Sequence, residues 1–409
     1  MKKSLFIIAA TALVISCSSN DVKNEIVQED IAIGFGDSHI GKITRATVGT
    51  NAGEMTASNS EGTSSGTLCT NGNTMEVWGW KYNANTNPQY TQVFDNQVVT
   101  YNSENTTQST KWGYTPIKFW DRAASYIFYA VAPDDKFTMP DEDLTTATDR
   151  VLKAQNVPAV QVLMNNAGDD KIKLATAGDA VTGTKSTAID YLVSAKVECE
   201  KGLAHQGNAT DKDVNFTFYH ILSKLDVNVL TTTTFNNEGN DYPQIKLTDL
   251  KVNLAGMCPT WDQKTAGALT PAAVDGDKWS GTAHTATDYV CYDVDGTKVA
   301  SSLLLNTTAN TVASYFVAPT ATGTTTPEAA AATCQVKIQV EYDIFYDGNN
   351  TATSSEHCQS EVLTVTNLTS FVQNTYNKLN ITIDPQAILF DVEAVTNWSD
   401  GTTGTITVQ

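Results

Sequence analysis

The sequence predicts an all-β protein built from two β-sandwich domains in tandem. Apolar and polar residues alternate in short segments along the chain, and loops rich in Thr, Ser, Asn and Gly separate them. Only residues 327–332 (PEAAAA) favour a helical turn or two. A chain of 409 residues with 41% apolar content can bury a core in each of two domains, which we place at residues 46–212 and 213–409.

The charge balance argues against one large class of function. The chain has 26 basic and 45 acidic residues, which gives a net charge of −19. Nucleic-acid binding requires lysine and arginine to neutralise phosphates, so we expect no nucleic-acid partner. A well-solvated acidic surface is the expected reason for the charge.

Residues 1–16 have the pattern of an export signal. Two lysines begin it, and residues 5–15 form an apolar run that is too short to span a bilayer as a stable helix. Ser16 stands before Cys17, so cleavage between them would leave Cys17 as an N-terminus that can be acylated. We therefore predict a membrane-anchored lipoprotein, with ordinary secretion as the alternative because Val14 stands at the usual leucine position.

The segment from Cys17 to Arg45 is predicted to be a lipidated propeptide that contains one removable strand. Within residues 25–35, apolar side chains of a single parity predict a strand with one buried face. These side chains are Ile31, Ile33 and Phe35. Loss of this strand would expose unpaired backbone and an apolar groove, both of which favour capture of a strand from another chain.

The predicted cleavage point is the bond between Arg45 and Ala46. A cut there would separate the rest of the chain from the lipid anchor at Cys17. The alternative is that Arg45 is an ordinary exposed arginine in a linker.

The first predicted strands are aromatic. Residues 75–82 (MEVWGWKY) place Trp78 and Trp80 on one face, where they would stack on sugars if exposed, although such residues are more typical of a core. Residues 117–120 and 126–132 (YIFYAVA) follow. The second of these is apolar on both parities, which predicts a central strand covered on both faces.

A change of parity marks residues 216–230 (FTFYHILSKLDVNVL). Apolar residues alternate on one parity up to Leu222 and on the other from Leu225 onward. A β-bulge, or passage from one sheet or domain to the next, would produce this change near Ser223. We expect His220 to face the interior as a hydrogen-bonded core histidine.

The second half of the chain continues the β pattern. Residues 335–346 alternate between apolar and mostly polar side chains, which predicts a half-exposed antiparallel strand. SYFVAP at residues 314–319 echoes YIFYAVAP at residues 126–133. The other predicted strands lie at residues 190–199, 245–254, 361–365, 378–383 and 388–398.

No arrangement of residues predicts catalysis, a metal centre or a cofactor. The five histidines are scattered, and the six cysteines after Cys17 contain no CxxC pair, although an exported chain could join them in up to three disulfides of open pairing. A GTSSG sequence at residues 62–66 lies in a polar loop, the wrong context for a nucleophile elbow. Asp293 and Asp295 could bind calcium but are more typical of a turn.

Taken together, several segments resemble the fimbrillin family, the subunits of lipoprotein-derived type V pili of Gram-negative bacteria. They occur in the family's order over nearly the whole chain. They are Cys17, Thr44-Arg45-Ala46, the region from Trp120 to Pro133, the F-x-H-x-x-S-K-L signature from Phe216 to Leu225, and the pattern from Tyr376 to Trp398.

The resemblance implies two transthyretin-like β-sandwiches exported as an outer-membrane lipoprotein. It implies that an arginine-specific protease cuts after Arg45, and that a neighbouring pilus subunit's strand fills the vacated groove at the cell surface. The donor would be the tail at residues 388–409, in which Ile406 and Val408 form the only alternating apolar pair after Trp398. We predict a structural pilus subunit that is not an enzyme, with a tip or surface adhesin that binds glycan or host protein as the alternative.

Overall fold

The computed structural model of the chain describes most of its predicted strands. The described residues are 31–36, 39–40, 68, 71–83, 90–105, 110–121, 123–133, 137–138, 152–165, 172–173, 180–181, 188–200, 213–232, 243–263, 278–293, 303–320, 335–346, 356–366, 368, 370–384, 387–395 and 404–406. Four residues of the predicted anchor, cleavage point and tail lie outside them: Cys17, Arg45, Ala46 and Val408.

All regular structure within these ranges is β-strand, and none of it is a helix capable of crossing a membrane. The strands are β1 (Gly34–Phe35), β2 (His39–Ile40), β3 (Thr74–Tyr82), β4 (Tyr90–Tyr101), β5 (Trp112–Gly113), β6 (Ser125–Ala132), β7 (Phe137–Thr138), β8 (Lys153–Ala154), β9 (Val160–Asn165), β10 (Ile172–Lys173), β11 (Ala180–Val181), β12 (Leu192–Ser194), β13 (Val197–Cys199), β14 (Asp213–Val214), β15 (Thr217–His220), β16 (Ser223–Thr231), β17 (Gln244–Ala255), β18 (Thr260–Asp262), β19 (Lys278–Ser280), β20 (Thr287–Asp293), β21 (Leu303–Leu304), β22 (Asn310–Val317), β23 (Gln335–Phe345), β24 (Glu356–Gln359), β25 (Leu363–Thr364), β26 (Tyr376–Asp384), β27 (Ala387–Val395) and β28 (Gly404–Ile406). The predicted all-β class is confirmed.

The largest sheet has the order β14-β1-β5-β4-β3-β6-β12-β15-β2, and β13 also pairs with β6. Only two residues separate β14, at one end of this path, from β15, which lies next to the other end, so the two strands form one stretch of chain. The sheet therefore closes on itself, and β1 is the strand that joins the two sides. Its inner side chains form a compact aromatic cluster that includes Phe35, Phe94 and Phe128.

Two further sheets share a second core. One has the order β28-β27-β26-β16-β22-β9, and the other has the order β20-β17-β23-β24 with β21 and β25 on its flanks. Apolar side chains from both sheets, among them Val227, Val252, Val340 and Ile381, form one buried cluster. Small sheets of β19-β18-β8-β7 and β10-β11 complete the described structure.

Strand pairing crosses residue 212, where the sequence analysis divides the chain. β14 and β15 complete the largest sheet, whereas β9 pairs with β22 and β8 pairs with β18. The division into two sandwiches at this residue stays a prediction.

The change of parity after His220 is a change of sheet. β15 pairs with β12 in the largest sheet, and three residues later β16 pairs with β22 and β26 in another. His220 is buried, and its Nδ1 lies 2.7 Å from the Asp190 carboxylate. Both the passage between sheets and the core histidine are confirmed.

Several strand predictions are also confirmed. β6 is buried along its whole length, as expected of a central strand, and β23 is antiparallel to β17 with alternating burial over most of its length. Trp78 and Trp80 are 3% and 2% exposed, so the idea that their face binds sugars is wrong. Both rings belong to the second buried cluster, with Val227 and Val252, where full burial removes more aromatic surface from water than stacking on a ligand would.

Three cysteines within the described ranges, Cys199, Cys291 and Cys358, are free thiols. The open expectation of disulfides therefore receives no support from these three cysteines.

Candidate functional site

The strand predicted to be removable occupies a slot with backbone partners on both sides. On one side the amide of Ile33 donates to the Lys118 carbonyl at 2.8 Å, and the Trp120 amide donates to the Ile31 carbonyl at 2.9 Å. These bonds accompany an antiparallel bridge between Ala32 and Phe119. We call this slot, formed by residues 112–120 on one side and 213–218 on the other, the strand seat.

The other side of the seat pairs in the parallel direction. Gly34 and Phe35 lie opposite Asp213 and Val214, and the Gly36 amide donates to the Val214 carbonyl at 2.9 Å. β2 continues this parallel pairing along β15. Because the seat supplies backbone partners on both sides, a strand placed there has few unpaired peptide groups.

Tyr114 ties the seat to the strand through a side chain. Its hydroxyl donates to the Ile33 carbonyl at 2.7 Å, and the Lys118 amide donates to the Tyr114 hydroxyl oxygen at 3.3 Å. Burial raises the pKa of Tyr114 to about 12, so its hydroxyl stays protonated and able to donate at neutral pH.

Phe35 anchors the strand in the aromatic core. It is fully buried, and its ring centroid lies 5.4 Å from those of Phe94 and Tyr114 and 5.8 Å from that of Phe216. The first two contacts are edge-to-face and the third is stacked, the arrangements that aromatic rings favour.

The three predicted strand residues differ in burial. Ile33 is 1% exposed and Phe35 is fully buried, while Ile31 is half-buried against the same cluster. The strand itself is shorter than predicted, with β1 confined to Gly34–Phe35 and one isolated bridge at Ala32. The amide of Gly36 still bonds across the seat, so the ladder extends one residue past β1.

The C-terminal tail lies at the edge of a different sheet. β28 pairs antiparallel with β27, placing Ile406 opposite Phe390. β27 pairs in turn with β26 over its whole length. The tail thus has a backbone partner on one side, and the structure does not bring it to the strand seat.

Sequence reasoning missed the residues that build the seat. Tyr114 and Asn215 carry no local signal, because each meets the strand through a contact between distant parts of the chain. Phe216 was visible as an apolar residue of the alternating run that ends at Leu222, but not as the ring that stacks on Phe35. Among the described residues, no group of His, Cys, Asp or Glu side chains could hold a metal ion.

The described part of the protein is all-β, and residues 31–36 close its largest sheet. A family model described as fimbrillin-like matches residues 44–398, and the chain belongs to this family. It is therefore a protein of the fimbrial class, whose members serve in surface appendages rather than in catalysis. A search of curated proteins found no match.

Solved structures of fimbrial proteins resemble the chain at low identity. A fimbrial protein from Bacteroides vulgatus is 17% identical, with 80% of this chain and 93% of that chain covered and a TM-score of 0.46. A fimbrial assembly protein from Parabacteroides distasonis is 12% identical, with 82% and 92% covered and a TM-score of 0.32. The tip fimbrial protein Mfa3 from Porphyromonas gingivalis, truncated at its C-terminus, is 9% identical, with 80% and 95% covered and a TM-score of 0.30.

Proposed function

We propose that the chain is a pilus subunit, exported as a lipoprotein and assembled by strand exchange after a cut at Arg45. Cys17 would carry the lipid that holds the precursor on the outer membrane. An arginine-specific protease would cut between Arg45 and Ala46. A strand from another pilus subunit would then replace residues 31–36 in the strand seat.

One observation carries this proposal. Residues 31–36 hold together both sides of a closed sheet, and they do so from the N-terminal end of the chain, ahead of Arg45. A cut at Arg45 would leave this strand attached only by non-covalent contacts. An incoming strand could restore the same backbone bonds and cover the same apolar surface.

The cut alone should not empty the seat. Burial of a phenylalanine side chain contributes about 1.5–3 kcal/mol relative to exposure, and Phe35 is fully buried. The hydrogen bond from Tyr114 and those of the backbone add to this. We therefore infer that the cleaved strand stays in place until a competing strand displaces it, which would keep the apolar seat covered.

The test uses the precursor without its lipid signal, residues 18–409, treated with a trace of arginine-specific protease. The chain contains only three arginines, Arg45, Arg122 and Arg150, so each cut gives a distinct fragment. We expect a new N-terminus at Ala46, with residues 18–45 retained in native mass spectrometry until an added peptide of residues 29–40 displaces them.

The matched control is Arg45→Ala, which keeps Arg122 and Arg150. It should remain uncut at residue 45 and should take up no peptide under the same conditions. A cut at Arg45 after which no strand exchanges would favour a tip or surface adhesin. Absence of a cut at Arg45 would contradict protease-triggered assembly.

A further inference from the structure

The strand seat has two features that depend on the sequence of the strand it holds. Backbone hydrogen bonds accept any strand, because every residue except proline offers the same groups. The pocket around Phe35 and the close packing around Gly36, in contrast, depend on side chains. Together they define which strand the seat accepts.

The pocket around Phe35 is shaped for a ring. Phe94, Tyr114 and Phe216 surround it with centroids within 5.8 Å, and Phe128 lies edge-on at 6.3 Å. A smaller side chain would leave a cavity in a cluster whose members are themselves almost fully buried. A cavity of this kind is among the most unfavourable changes in a protein core.

The position after the ring has no room for a side chain. A Cβ atom built on Gly36 would lie 2.1 Å from Oδ1 of Asn215 and 3.0 Å from Cβ of Asp213. Asn215 is exposed and its amide can turn away, but Cβ of Asp213 moves only with its backbone. The seat therefore favours glycine here, with an effect smaller than that of the ring.

The tail of this chain does not carry that pair of residues. Its aromatic residues, Phe390 and Trp398, are followed by Asp391 and Ser399. Either one placed in the ring pocket would bring a Cβ to the position of Gly36. The final segment, GTITVQ, contains no aromatic residue at all.

We propose that the vacated seat selects a strand in which an aromatic residue is followed directly by glycine, and that this strand comes from a different protein rather than from the tail of a second copy. This inference rests on the proposed function, because it names the partner of the same seat. The ring fills the pocket of Phe35, and the glycine passes Asn215 and Asp213.

The test replaces residues 41–46 of the precursor with the recognition site of a sequence-specific protease. The break then forms whether or not Arg45 is a natural cleavage point. Fluorescent peptides are added to the cleaved protein, and their uptake is followed by anisotropy and by native mass spectrometry. The probes are a peptide of residues 29–40, its Phe35→Ala and Gly36→Ala forms, and a peptide of residues 387–409.

The unmodified 29–40 peptide is expected to exchange into the seat. Its Phe35→Ala form should bind at least about 100-fold more weakly, because the ring pocket is left empty. Its Gly36→Ala form should bind about 10-fold more weakly, and Asn215→Ala in the protein should recover part of that loss. An Ala32→Ser peptide, altered at a half-buried position, should bind within about 3-fold of the unmodified one.

The peptide of residues 387–409 separates the two possible sources of the strand. Binding at least about 100-fold weaker than that of the 29–40 peptide would support a partner other than this chain. Comparable binding would overturn the inference, as would equal binding of the Phe35→Ala peptide. If even the unmodified peptide fails to exchange, strand replacement itself is wrong, and the proposed function falls with it.

Discussion

The two ends of the described chain sit in their sheets in different ways. Residues 31–36 have backbone partners on both sides, one antiparallel and one parallel, and place a fully buried ring in the core. β28 has a partner on one side only, at the edge of its sheet. Removal of residues 31–36 would open a closed sheet, whereas removal of β28 would only take away a strand at the edge of its sheet. The N-terminal strand is therefore the one whose departure creates a site.

The largest expected effect is that of Phe35→Ala in the uncut precursor. The substitution empties a pocket of closely packed rings, so we expect the free energy of unfolding to fall by about 3–5 kcal/mol. Phe119→Ala is the matched control. Phe119 pairs with the same strand through Ala32 but is 50% exposed, and its loss should cost less than about 1 kcal/mol.

Denaturant unfolding at neutral pH measures both variants. Equal losses would show that Phe35 is not the anchor of the strand.

A smaller effect with a defined pH dependence is expected for Tyr114→Phe. Loss of the hydrogen bond to Ile33 should lower the free energy of unfolding by about 1 kcal/mol at pH 8. The folded protein raises the pKa of Tyr114 from 10.0 to about 12, so it holds this proton more tightly than the unfolded chain does. The contribution is therefore complete below pH 10 and is lost as the pH rises from 10 to 12.

By pH 11 the advantage of the natural protein over Tyr114→Phe should have vanished, since one pKa unit corresponds to about 1.4 kcal/mol. Denaturant unfolding curves at pH 8 and pH 11 measure this difference in the free energy of unfolding. Tyr90→Phe controls for general alkaline destabilisation, because Tyr90 is a half-buried tyrosine whose ring contacts that of Tyr82 in another part of the sheet. An advantage that persists unchanged at pH 11 would contradict the buried hydrogen bond.

The smallest effect is expected for deletion of residues 404–409. β28 is an edge strand with one partner, so its removal should lower the free energy of unfolding by less than about 1 kcal/mol. The same denaturant measurement applies. A loss as large as that of Phe35→Ala would mean that the tail, too, is an integral part of a core.

Local sequence patterns predicted the fold class and part of the seat. Alternation alone placed Ile33 and Phe35 on one face, and the break in alternation after His220 marked the passage between sheets. The closure of the sheet could not be predicted in this way. It depends on a parallel pairing of Gly34 with Asp213, which are far apart in sequence, and no periodicity encodes a register of that kind.

Side-chain contacts between distant parts of the chain could not be predicted from the sequence either. Tyr114 contributes through a hydroxyl whose acceptor lies 81 residues earlier in the chain, so its sequence neighbours give no sign of the contact. The sequence gives no sign of a steric constraint at Gly36, because the constraint comes from Asn215 and Asp213, which lie beside it only in the fold. The strand at residues 31–36 could thus be predicted from the sequence, whereas the seat around it is visible only in the structure.

Amide hydrogen exchange at Trp120 tests most directly whether residues 31–36 are a replaceable part of the sheet. The Trp120 amide donates to the Ile31 carbonyl, so its protection reports whether a strand is present. After a cut in residues 41–46 of the Phe35→Ala protein, whose strand is held less tightly, we predict faster exchange at Trp120 than in the uncut protein and unchanged protection in β3 and β6. Restoration of protection by the unmodified peptide would complete the result, whereas loss of protection throughout the sheet, or none at Trp120, would contradict a replaceable strand.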